Sequence, residues 1–195
     1  EISECLVGSE MCIRDRYVAC AGNFKDAGLE YTGALKVLQM IFSYEYLWIQ
    51  IRVKGGAYGC MCSFSDQGDS MFVTYRDPNL SESYKVYDEA ADYVADFDAD
   101  DRDMKKYIIG TIGSMDMPME AVDMGARSFH AYFLGKTEAD LQKVRDQVLS
   151  CTQEDIRALA PIVKAVVEAG NRCCIGNEEK IDQNKEYFDE VKHVL

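Results

Sequence analysis

Long apolar runs are missing from this chain. None approaches the roughly 20 residues that a membrane-spanning helix needs, so no span is expected. Imidazoles are scarce: His130 and His193 are the only two histidines. No Cys-x-x-Cys pair occurs among the eight cysteines. Cys60 and Cys62 are expected to point to opposite faces of a strand and so to chelate a metal poorly. Basic residues are outnumbered, with 21 Lys and Arg against 34 Asp and Glu and a formal net charge of -13. A chain this acidic repels phosphate backbones, which argues against nucleic acid as a partner. A cationic peptide would be attracted instead, although plain solvation is the simpler explanation of the charge.

What is present suits one ordinary domain. The chain has 195 residues and is 48% hydrophobic, enough to build a core without disulfide staples. Its cysteines therefore read as reduced thiols of a cytoplasmic protein. The first stretch, Glu1 to Arg16, has no clear period and no signal-peptide layout. The run from Cys5 to Arg16 resembles a translated sequencing adapter, so residues 1–16 are expected to be a non-native lead-in, with the true protein extending further upstream.

Regular signals begin at Tyr17. Tyr17–Ala21 reads as a short strand. Thr32 can cap a helix on which Ala34, Val37, Leu38, Ile41, Tyr44, Trp48 and Ile51 fall on one face. Gly55-Gly56 should end it. Ala57–Phe64 and Met71–Tyr75, joined through Gln67-Gly68-Asp69, read as an antiparallel hairpin. Helices dominate after that. Asn79 with Glu82, Thr137 with Asp140 and Thr152 with Asp155 look like capping boxes, and Asp100 with Asp103 can start another helix. Pro118 fits the first turn of a helix closed by Gly135, and Pro161 should break or kink the helix that the Thr152 box opens. Arg172–Ile175 reads as a buried strand, followed by a helical tail from Asn177. Strands in a hairpin and grouped helices predict an α+β fold, an antiparallel sheet with helices packed on one face.

The segment Ile51–Gly59 offers the clearest chemistry. Arg52 sits on the last turn of a helix and Tyr58 at the start of a strand. The double glycine between them lets the backbone turn sharply. Such a turn could set a guanidinium beside a phenol, two donors able to face a carbonyl oxygen gaining negative charge. On spacing alone the ordinary explanation is preferred: a helix-to-strand turn in which Arg52 complements the helix C-terminus. No Gly-Lys-Ser/Thr follows, so the loop is not a phosphate cradle.

Several ordered motifs change that balance. They are Tyr31–Leu35, Ser43–Trp48, Ile51–Cys60, Tyr75–Leu80 and Ile175–Glu178. Over residues 17–195 the chain resembles the C-terminal domain of presequence proteases, in the pitrilysin-type inverted-zincin metallopeptidases related to insulysin. The resemblance implies a LuxS-like metalloprotease domain in an enzyme whose two halves close around an unfolded, basic peptide. It implies zinc and a general-base Glu on a His-x-x-Glu-His motif in the N-terminal half. It implies that the last domain supplies an Arg and a Tyr, here Arg52 and Tyr58 around Gly55 and Gly56, to bind the substrate backbone and the oxyanion opposite zinc. This sequence has no His-x-x-Glu-His, so it holds no metal ligands of its own and should not hydrolyse peptides alone. Its expected partners are unstructured peptides and the zinc-bearing N-terminal half, with no nucleic acid and no membrane. Its expected location is the cytoplasm of a bacterium, or an organelle if the source is eukaryotic.

Two further readings compete. One is a non-catalytic scaffold of the same fold, against which the retention of Arg52 and Tyr58 argues. The other, weaker, is a thiol-redox or metal-binding domain. The acidic run from Asp88 to Asp103 reads as a solvated face, and His130 as a packed or surface histidine. Phe42, Tyr44, Tyr46 and Trp48 read as core and interdomain packing.

Overall fold

The computed structural model describes residues 4–7 and 16–193. Alternation of buried and exposed side chains shapes its sheet. In β2 (Tyr17–Asn23), Val18 and Cys20 are buried while Tyr17 faces solvent. In β4 (Asp69–Tyr75), Ser70, Phe72 and Thr74 are buried while Met71 is exposed. β3 (Gly59–Phe64) joins β4 through a turn in which Ser65 N–H donates to Asp69 O at 2.8 Å and Gly68 N–H to Ser65 O at 3.0 Å. β5 (Asn171–Gly176) pairs with β2. The strands β3-β4-β2-β5 form the expected antiparallel sheet. Two more strands extend it by parallel pairing: β1 (Glu4–Val7) lies beside β5, and β6 (Glu190–His193) beside β1.

β6 corrects the expectation of a helical tail. Only Glu178–Asp182 and a single turn at Lys185–Tyr187 are helical. Phe188 and Val191 then pack against the core, and β1 supplies the ladder partners that make an extended path favourable. The proposed lead-in falls mostly outside the described residues. Within it, Glu4–Val7 forms β1 and the Arg16 side chain is buried, its Nε donating to Asp77 O at 3.0 Å.

Cys60 and Cys62 are a second correction. They lie on one side of β3 with Met61 opposite, as a two-residue side-chain period requires. Both thiols face the helical layer. Burial pushes Cys60 up to about 11 and Cys62 higher still.

Helices cover the core-facing side of the sheet. α1 (Ala34–Ile41) buries Ala34, Leu35, Val37, Leu38 and Ile41. The chain then continues in π-helical turns over Phe42–Tyr46 and Trp48–Lys54. Each wider turn delays the buried face by a residue. Phe42, Tyr46, Leu47 and Ile51 are buried, whereas Tyr44 is 65% and Trp48 39% exposed. Tyr44 and Trp48 thereby leave the face that the regular α-period gave them with Ala34, Val37, Leu38, Ile41 and Ile51. Phe42 becomes an aromatic hub, with ring centroids 5.7 Å from Phe72 and 6.1 Å from Tyr93.

The remaining helices are α2 (Ser81–Asp88), α3 (Ala90–Ala95), α4 (Asp101–Met115), α5 (Ala121–Phe133), α6 (Glu138–Leu149), α7 (Gln153–Arg157), α8 (Ala160–Glu168) and α9 (Glu178–Asp182). Asp100 caps α4 through the N–H groups of Arg102 and Asp103. Both threonine capping boxes form at α6 and α7. Pro161 sits in the first turn of α8, where its missing N–H costs nothing. α8 lies so close to β2 that a Cβ on Gly22 would stand 2.5 Å from Val166 O. The expected box at Asn79 does not form, because the Asn79 side chain donates to Gly55 O at 2.5 Å instead. Pro118 precedes α5 rather than opening it, since the chain is still extended at Glu120. α5 has no buried residue at all.

Candidate functional site

The helix-to-strand turn is built by its glycines. Gly56 takes a left-handed φ of 77°, which an L side chain resists. Its N–H donates to Arg52 O at 3.0 Å, and Ala57 N–H reaches back to Ile51 O at 3.1 Å, capping the helix end. Gly55 has no room for a side chain, since its Cβ would stand 2.6 Å from Ile51 O. Asn79 ties Gly55 O to the segment after β4. On that side Arg76 adopts a φ of 50°, and Asp77 turns fully inward. The Asp77 carboxylate accepts the Asn79 N–H at 2.9 Å and the Ser83 hydroxyl at 2.6 Å. Burial pushes its carboxyl above the ordinary carboxylate value, while bonds from Ser83, Thr74 and Asn79 oppose that.

Tyr58 emerges from this frame. Its N–H is shared between Tyr75 O at 3.1 Å and Arg76 O at 3.3 Å. Its ring meets Tyr75 edge-on at 5.4 Å, and it remains 60% exposed. The Arg52 guanidinium carbon lies 4.5 Å from the Trp48 ring centroid and 5.4 Å from that of Tyr58. Arg76 approaches the Tyr58 ring at 5.8 Å. The turn thus brings Arg52 and Tyr58 together, with Gly55 and Gly56 shaping the backbone between them. Among the described residues Arg52 has no ion-pair partner. A guanidinium held by rings rather than by a carboxylate keeps its N–H groups available to an incoming carbonyl.

Trp48 and Arg76 belong to this group although the sequence reading gave them no part in it. The spacing of Trp48 and Arg52, four residues apart on a helical segment, was the available signal. His130 is exposed on α5. Among the described residues no group of three or more His, Cys, Asp or Glu stands close enough to hold a metal ion. No helix among them is long and apolar enough to cross a membrane.

A sheet covered by one helical layer, with the Arg52-to-Tyr58 turn leading into its edge strand, makes this an α+β domain. Residues 11–177 match the PreP C-terminal domain, and the chain belongs to that family. It is 42% identical over 180 residues to Protein HypA of Clostridium perfringens, covering 92% of this chain and 18% of that protein. It is 34% identical over 183 residues to Presequence protease 1, chloroplastic/mitochondrial, of Arabidopsis thaliana, covering 92% of this chain and 17% of that one. The chain therefore spans under a fifth of the length of these relatives. Crystalline pitrilysin shares its fold with a TM-score of 0.59 at 12% identity, covering the whole of this chain and 22% of that one.

Proposed function

We propose that this chain is the peptide-binding C-terminal part of a zinc metalloendopeptidase that degrades short unstructured peptides. Arg52 and Tyr58 donate hydrogen bonds to the substrate backbone and to the carbonyl oxygen as it becomes an oxyanion. Zinc and the general base belong to an N-terminal half of the same protein, and this chain alone does not hydrolyse peptides. The observation that carries the reading is the pairing of an Arg52 guanidinium 5.4 Å from the ring of the exposed Tyr58. The names of the relatives support the reaction class.

Donors that stabilise charge only in the transition state act on kcat more than on KM. Tyr58→Phe in the longer protein should lower kcat by about a hundredfold or more while KM changes little. Arg52→Lys should also impair turnover, because an ammonium cannot reproduce the planar fork that stacks on Trp48. Unchanged turnover in both variants would remove the oxyanion role and leave a scaffold.

A further inference from the structure

A cavity of about 960 Å³ opens beside the Arg52 turn, a size at which pockets enclose much of a bound segment. Trp48 and Cys60 line it at the end nearest Arg52, and Lys36, Arg127 and Lys136 line it elsewhere. These cations come from three places: α1, α5 and the turn after α5. In a chain of net charge -13, such convergence is the reverse of the global balance. Among the described residues Asp66 is the only acid lining the cavity, and it pairs with Lys136. Among the described residues Lys36 and Arg127 have no ion pair, and Arg127 donates to the Met119 sulfur at 3.9 Å. Burial, and then the charges of Arg127 and Lys136, hold the Lys36 ammonium below its ordinary pKa. Lys36 is half-buried and Arg127 exposed, and like charges lining one cleft repel each other until an anion enters.

We propose that this cleft is a carboxylate subsite for the bound peptide, with Lys36 and Arg127 as the receiving cations. The choice of a peptide ligand rests on the reading of Arg52 and Tyr58 as peptide contacts. The shared wall at Trp48 carries the chain from that turn into the cleft. The carboxylate is the peptide's C-terminus or an acidic side chain. The local field therefore selects an anionic group, although the chain as a whole is strongly acidic.

The one tryptophan of the chain lines the cleft, so its fluorescence reports occupancy. The probe is a short unstructured Gly/Ser/Leu peptide prepared as free acid, as C-terminal amide, and as amide with one internal Glu. Charge-assisted contacts predict that amidation weakens binding about tenfold or more. Lys36→Met and Arg127→Gln should each shrink that difference, and added salt should weaken only the acidic forms. Arg127 is exposed, so its variant keeps the fold even if the Lys36 variant does not, and circular dichroism checks both. Rescue by the internal Glu would assign a side-chain carboxylate, and failure to rescue would assign the C-terminus; both uphold the subsite. Equal affinity for all three forms would overturn it, as would the absence of any Trp48 response confirmed by calorimetry. The readouts are separable from the proposed function. Lost carboxylate discrimination with a Tyr58→Phe turnover defect removes only the subsite. Retained discrimination with normal Tyr58→Phe turnover removes only the oxyanion role.

Discussion

Gly56 and Asp77 bracket the site and respond to substitution for different reasons. A Cβ at Gly56 would find space, its nearest neighbour being Pro78 Cγ at 3.7 Å, so the cost of Gly56→Ala is the backbone alone. At a φ of 77° that cost is about 1 kcal/mol or more. It should appear as a lower urea midpoint with an unchanged m-value. Asp77 is the case where pH matters. Its folded pKa is raised by burial, so the folded state binds more protons than the unfolded state between the two pKa values. Its contribution to stability is therefore fully present below the unfolded carboxylate value and is lost as pH rises through the folded one. Asp77→Asn, which keeps the acceptor for Asn79 N–H, should be relatively less stable in acid and gain on the wild type as pH rises. Urea titrations of both proteins across the acid range check this, and a pH-independent difference would refute it. Arg52 and Tyr58 were legible because one short motif carries both. Arg76 and the cleft cations were not, since their neighbours come from elements far apart in sequence.

At the scale of elements, local chemistry was legible wherever it was self-contained. The Thr137 and Thr152 capping boxes and the Asp100 cap involve only residues within one turn, and all three form. The failures have tertiary causes. Asn79 leaves its helix end because Gly55 O needs a donor. The helix through Phe42–Lys54 widens because both Phe42 and Leu47 find places in the core. That shift is testable. Leu47→Ala should cost about 2–5 kcal/mol, whereas Tyr44→Ala should stay within about 0.5 kcal/mol. Chemical denaturation of the two variants measures both. The reverse order would restore the regular α-helical face.

For the whole molecule, the imbalance of exposed apolar surface stands out. α5 buries none of its residues, and Phe129, Phe133 and an 81% exposed Tyr132 lie along it. The open face of the sheet adds Tyr17, Met61 and Met71. Exposed apolar side chains grouped in this way are candidates for association. The chain on its own should bind a hydrophobic dye and associate as concentration rises. Phe129→Glu with Phe133→Glu should reduce both effects without lowering stability. Light scattering that shows a clean monomer, with no dye binding, would contradict this.

The sequence by itself determined the class of fold, the hairpin, most helix starts and the identity of the Arg-Gly-Gly-Tyr turn. Each of these rests on short-range periodicity or on residues a few positions apart, where backbone geometry leaves few choices. Tertiary structure alone decided which aromatic residues face solvent, how the sheet grows beyond its antiparallel strands, and where the charge gathers. A net charge is a sum over the chain, whereas Lys36, Arg127 and Lys136 line one cleft only because packing brings α1, α5 and the turn after α5 together.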